Sequence, residues 1–236
     1  MEELKNPKLA LPIVLIAGIF WSFGPYVVRN IEEAHTVPWQ YLFTRGMVIF
    51  ILLNFYLYME EGLNFINNYK KIGASGLIGA FGLAAAMITF IWSITSTTAA
   101  ITLLCLAAMP FITALLGFLF LKETISINVW ISIGIATVGI IIMAFGNHEK
   151  NTLIGFILGI VSAVGFSIFS VSLRWRKETP KFTTVALAGL ICFIVSLIVI
   201  TSKDLNLISS SKNQALFAIH GTIVCLGMIL YAIASK

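Results

Sequence analysis

Arg45 stands well inside an apolar run, Trp39 to Met59, roughly 9 Å from the end of a helix drawn through it. An ionised side chain at that depth is costly unless it snorkels, pairs or faces a polar cavity. All ten acidic residues lie at termini, span ends or loops. The groups left to Arg45 are therefore backbone carbonyls, the loop acids Glu32 and Glu33, or an anionic solute. His220 lies at similar depth in another apolar run, and imidazole is the side chain suited to proton coupling near neutral pH. The competing reading is a histidine held by hydrogen bonds near the interface. Trp21, Tyr26 and Trp92 offer flat amphipathic walls to an organic solute, with Ser22, Thr102 and Thr113 as hydroxyl partners. Aromatic residues near span ends equally suit an interfacial belt, and Trp39 is assigned to one.

These residues are organised around Thr97 to Glu123, an apolar stretch long enough to cross a bilayer and interrupted by Pro110. Proline cannot donate to the carbonyl of Leu106 and its ring crowds it, so the spacing predicts a kink and a released polar backbone group at membrane depth. Neighbouring helices or a water-filled cavity must cover that group, as in the interrupted helices of carriers. Gly24-Pro25 predicts a second bend near the end of the first span. The glycines from Gly73 to Gly82 and the pair Gly155 and Gly159 predict close helix packing.

Composition fixes the class. Of 236 residues, 59% are hydrophobic and 11% charged, with mean hydropathy +0.99, which excludes a soluble domain of this length. The expected fold is an all-α polytopic membrane protein of eight spans: Leu9 to Val28, Trp39 to Met59, Ile72 to Trp92, Thr97 to Leu121, Asn128 to Gly146, Thr152 to Leu173, Thr183 to Thr201 and Gln214 to Ser235. The net charge of +5 comes from basic residues in short loops, which indicates membrane topology and not a nucleic-acid partner. On one side stand Lys5, Lys8, Lys70, Lys71, Lys122, Arg174, Arg176, Lys177, Lys181 and Lys236; on the other, Arg29, Lys150, Lys203 and Lys212. The excess places both ends in the cytoplasm, with the chain in the inner (cytoplasmic) membrane. The first run is read as a retained helix, lacking a small-residue cleavage site.

Cys105, Cys192 and Cys225 each lie inside an apolar run without a CxxC spacing, so they read as small buried hydrophobes. There is no phosphate-binding GxxxxGK[ST], no HExxH and no carboxylate pair within a span. ATP-driven, metal-dependent and triad chemistry thus have no motif behind them, no cofactor is expected, and the chain is read as a non-enzyme.

An internal repeat is visible. Gly18, Ile19 and Gly24 recur as Gly159, Ile160 and Gly165, and an ungapped shift of 139 lays Gly82 on Gly221, Trp92 on Tyr231 and Ile94 on Ile233. Five helices per repeat would make the second copy enter the membrane inverted. The expected domains are 1–147, holding five helices, and 148–236, holding three. Counterparts of the fourth and fifth helices are missing, which implies a fragment of a ten-helix protein or a short chain that completes its bundle as a homo-oligomer.

The segments FWSFGPYVVRN, YLFTRG, LLCLAAMPFITALLGFLFLKE and GFILGIVSAVGFSIFSVSLRWR resemble the EamA type of the drug/metabolite transporter superfamily. The resemblance covers essentially the whole chain, and its most specific element is the proline-centred helix ending in Leu-Lys-Glu. It implies ten helices in two inverted halves and transport of small metabolites, amino acid derivatives or drugs. The expectation is a secondary carrier working by alternating access, with Trp21, Ser22, Tyr26, Arg45, Trp92, Thr102, Pro110 and Thr113 at the solute site and His220 as proton-coupling candidate. The rival expectation is a non-transporting scaffold or partner subunit.

Overall fold

The computed structural model describes residues 7–146 and 150–234, and among these the regular structure is entirely helical. The helices are α1 (Pro7–Ser22), α2 (Gly24–Arg29), α3 (Pro38–Glu61), α4 (Ile66–Lys71), α5 (Gly73–Ser96), α6 (Ala99–Leu106), α7 (Met109–Leu121), α8 (Ile127–Gly146), α9 (Lys150–Trp175), α10 (Lys181–Ser202) and α11 (Ser211–Ala234); a 3-10 turn, Gly62–Phe65, joins α3 to α4. Seven candidate spans among the described residues are long and apolar enough to cross a membrane: Leu11–Arg29, Pro38–Lys71, Gly73–Ser96, Ala99–Leu121, Leu153–Trp175, Lys181–Ser202 and Ser211–Tyr231. The region expected as a further span is α8, whose Ile127–Gly139 forms a shorter apolar helix by the same measure. Of the residues used in the charge count, Lys5 and Lys236 lie outside the described residues, as do residues 147 and 148 at the expected domain boundary and Ser235 at the expected end of the last span.

Two spans are broken, each just before a proline. Pro25 cannot donate to Trp21, and the first span divides at Phe23 into α1 and α2, with the Val27 N–H bonding the Phe23 carbonyl at 3.0 Å. In the fourth span the break falls at Ala107-Ala108, not at Pro110 itself. Pro110 occupies the first turn of α7, where its missing N–H costs no helical bond. The expected mid-helix kink is therefore corrected to two helices, with Pro110 exposed at the start of the second. Bonding resumes at Ala108, whose carbonyl accepts from both Phe111 and Ile112.

The chain forms two compact units. One is Gly73–Thr179, built on α9. Gly155, Gly159, Ser162 and Gly165 recur at helical spacing, giving α9 a face of small residues against α5 and α6. At Gly165 a Cβ would stand 2.6 Å from the Gly82 carbonyl oxygen, so α5 and α9 cross backbone against backbone. Hydroxyls on the two helices fill the polar gaps: Ser162 donates to Ala86 O at 2.9 Å and Ser93 to Gly155 O at 2.7 Å. Ser167 reaches the carbonyl of Met109 at 3.2 Å, which supplies cover from a neighbouring helix beside the α6–α7 break.

The end of α7 explains Leu-Lys-Glu. Lys122 adopts a left-handed conformation with φ 57°, and the Glu123 N–H returns to Gly117 O at 3.2 Å. The Glu123 carboxylate then meets Arg174 Nη1 of α9 at 2.9 Å, while Arg174 Nη2 donates to Thr113 O at 3.3 Å. Gly117 leaves the space over which this pair folds; a Cβ there would lie 3.1 Å from Arg174 Nη2.

Among the described residues, the second unit comprises residues 7–72 and 180–234. α3 packs on α10 and α11, and α1 on α11. The α3–α10 crossing is again glycine on glycine: a Cβ on Gly46 would stand 2.7 Å from Gly189 O.

The Gly82–Gly165 contact yields a prediction. Gly165→Ala forces the α5–α9 crossing apart and costs about 1–3 kcal/mol, lowering the melting midpoint in detergent by roughly 5 °C. Gly134→Ala in α8, where nothing lies within 4 Å of the added carbon, leaves the midpoint undiminished.

Candidate functional site

At the N-terminal end of α3 the sequence places Gln40, Tyr41, Thr44 and Arg45 on one face, offsets of one, four and five residues that a helix stacks together. All four are buried. α11 answers with Asn213, Gln214, Phe217 and His220, again on one face. Thr44 Oγ1 donates to Gln214 Oε1 at 2.8 Å, Gln40 Nε2 donates to Asn206 O at 2.9 Å, and the Tyr41 ring stacks on Phe217 with centroids 4.7 Å apart. The Tyr41 hydroxyl is hydrogen-bonded to His220 Nδ1. Arg45 is 6% exposed and His220 2%. Tyr41, Cys192 and His220 all lie within electrostatic reach of the guanidinium.

Other features position this cluster. Gly24, the first residue of α2, lies against the imidazole: a Cβ there would be 2.9 Å from His220 Nε2. Gly221, next along α11, lets the Arg45 carbonyl approach to 3.3 Å of its ideal Cβ. The arrangement pairs a buried cation with a phenol–imidazole hydrogen bond that can accept or relay a proton, beside amide and hydroxyl groups able to orient a polar solute.

The loop before α3 is fastened above the cluster. Asn213, buried in α11, accepts the Glu32 N–H at 2.9 Å and donates to Glu32 O at 3.1 Å and to Ser209 Oγ at 3.0 Å. Glu32 is also held by Lys212 Nζ at 3.0 Å and Ser210 Oγ at 3.3 Å. As a partner expected for Arg45, Glu32 is thus already engaged elsewhere.

Of the expected site residues, the structure brings together Arg45 and His220. In the same unit Trp21 packs on Tyr231, ring centroids 5.8 Å apart, over the space left by Gly227. Ser22 returns its hydroxyl to Ile19 O at 2.7 Å within its own helix, and Tyr26 is 68% exposed. Trp92, Thr102, Pro110 and Thr113 belong to the other unit. There Trp92 is half-buried, and Thr102 is buried with its hydroxyl 2.8 Å from Ser93 Oγ. Thr113 contributes its backbone carbonyl to Arg174. Sequence reasoning missed Gln40, Tyr41, Thr44, Asn213 and Gln214. Their signal was polar residues repeated at helical spacing at the ends of two apolar runs. All three cysteines are buried free thiols.

The sequence profile of the EamA-like transporter family matches residues 8–145. An uncharacterized transporter of Helicobacter pylori (strain J99 / ATCC 700824) is 27% identical over 179 residues, covering 75% of this chain. The chain spans 58% of the length of that curated relative. A protein of known crystal structure shares the fold at a TM-score of 0.62 and 15% identity, over 97% of this chain and 86% of the other.

The Lys212 hydrogen bond and its charge, with a smaller contribution from Ser210, hold the Glu32 carboxyl below the usual carboxylate range. A carboxyl depressed on folding stabilises above its unfolded value of about 4.3, and that contribution disappears as pH falls through the lower folded value. In Lys212→Gln the Glu32 midpoint rises toward that of an unpaired carboxyl, measured by carboxyl carbon NMR with selective labelling. An unmoved midpoint would assign the depression to another group.

Proposed function

The chain belongs to the EamA-like transporter family, and from that premise we propose that it is a secondary carrier moving a small organic metabolite by alternating access. The observation that carries this reading is the buried cluster of Arg45, Tyr41 and His220, polar and ionisable groups facing inward between apolar helices. Solute contacts are assigned to Arg45 and its neighbours, with an amphipathic or anionic metabolite as the favoured class, and proton coupling to the Tyr41–His220 pair. Trp21, Tyr26, Trp92, Pro110 and Thr113 remain proposed site residues; Ser22 and Thr102 are set aside because each hydroxyl is spent on a neighbouring group, Ile19 O and Ser93 Oγ.

The architecture proposed with it has eight helices in the inner membrane, N-terminus cytoplasmic, in inverted five-helix repeats divided near residue 147. The packing supports the repeat. Exchanging the copies turns the α5–α9 pair into the α11–α1 pair and maps the α3–α10 pair onto itself, and both pairings occur. The glycine crossing at α3–α10 suits a self-paired axis.

Flux of candidate metabolites into proteoliposomes tests the proposal, with the 236-residue chain and the longest product of its gene run in parallel. Arg45→Gln and Tyr41→Phe each lower kcat/KM for uptake by about 10- to 100-fold, the loss expected for a hydrogen bond involving a charged group. Unchanged uptake at equal protein level would remove the cluster from the pathway. Flux from the longer product alone would assign transport to the longer protein and leave this chain the role of a part.

A further inference from the structure

α3 has 24 residues, about 36 Å of helix, already longer than the ~30 Å hydrocarbon core. The ten residues that follow, 62–71, therefore have no room to continue across the membrane. Gly62 ends α3 with φ 58° and ψ −145°, a conformation that suits glycine, and turns the chain. The arm then folds back along α3. Phe65 meets Tyr58 edge to face with centroids 6.5 Å apart, and the Tyr69 hydroxyl donates to Asn54 Oδ1 at 2.8 Å. Asn54 lies seven residues before the end of α3, about 10 Å back along its axis. The arm thus lies beside the last turns of α3.

Its exposed side has two chemistries. Leu63 and Ile66 are 73% and 51% exposed, and Lys70 and Lys71 follow, both exposed and in no ion pair among the described residues. The nearby acids of α3, exposed as well, have partners of their own: Glu61 accepts from Asn68 Nδ2 at 2.8 Å, and Glu60 is hydrogen-bonded to Tyr56.

We propose that residues 62–71 form an interfacial arm that binds anionic phospholipid, Leu63 and Ile66 entering the acyl-chain boundary and Lys70 and Lys71 holding the headgroup phosphate. An apolar pair followed by two ammonium groups at headgroup depth matches a lipid of net negative charge; a zwitterionic lipid carries the same phosphate but its own cation competes with the lysines. This inference requires only that the chain spans a membrane and is independent of what it transports.

Native mass spectrometry of the full chain in detergent tests it, with phosphatidylglycerol and phosphatidylcholine as probes. Wild type is expected to prefer phosphatidylglycerol, and Lys70→Gln/Lys71→Gln to lose about 30-fold in affinity for it, with phosphatidylcholine unchanged. Lys70→Arg/Lys71→Arg restores the preference, which separates charge from folding. Lys122→Gln/Lys177→Gln removes the same charge elsewhere and keeps the preference. No preference in wild type, an unchanged preference in the Gln pair, or an equal loss in the Lys122/Lys177 control would each overturn the proposal, the last by showing diffuse attraction.

Discussion

In hydrocarbon a polar group without a partner costs several kcal/mol, and this constraint governs the chain more than any single attraction. Two spans break just before prolines, and at the break in the fourth span a polar side chain lies beside the backbone. Near the α6–α7 break the Ser167 hydroxyl bonds Met109 O. At α5–α9 the closeness of two glycines brings backbone carbonyls within reach of Ser93 and Ser162. The hydroxyls and glycines therefore act together: the glycines set the distance and the hydroxyls satisfy the groups that distance exposes.

The same rule makes the α3–α11 cluster a functional suggestion and not a packing detail. Apolar side chains would fill that face at less cost. Instead Gln40, Tyr41, Thr44 and Arg45 confront Gln214 and His220. The result is a phenol bonded to an imidazole beside a guanidinium, all three buried between apolar helices.

Much of the fold was legible because apolar length is a strong signal. The runs containing α3, α5, α9, α10 and α11 were located to within a few residues, and glycine spacing foretold the tight crossing on α9. The exact break in the fourth span was not legible: proline marks the helix it begins as readily as the one it ends, so Pro110 pointed three residues past the true interruption. Arg45 and His220 stood out as ionisable groups in apolar sequence, and the structure joins them. Tyr41 did not stand out, because a tyrosine near a span end reads as a belt residue until its hydroxyl is seen on His220. Asn213 and Lys212 were hidden for a different reason, since their partner Glu32 is about 180 residues away and no local pattern reports it.

Asn213 holds the backbone of residue 32 by both its N–H and its C=O, as a neighbouring strand would. Such a grip reads backbone and ignores the side chain. The residue at position 32 is then free to drift in evolution at little structural cost, losing only its ion pair, whereas position 213 needs a side chain with one donor and one acceptor at the right reach. Aspartate in place of asparagine keeps the shape and removes the donor. The burden of keeping this loop seated therefore rests more on the helix beneath it than on the loop's own side chains, so exchanges along the loop disturb the groups below less than a change at position 213.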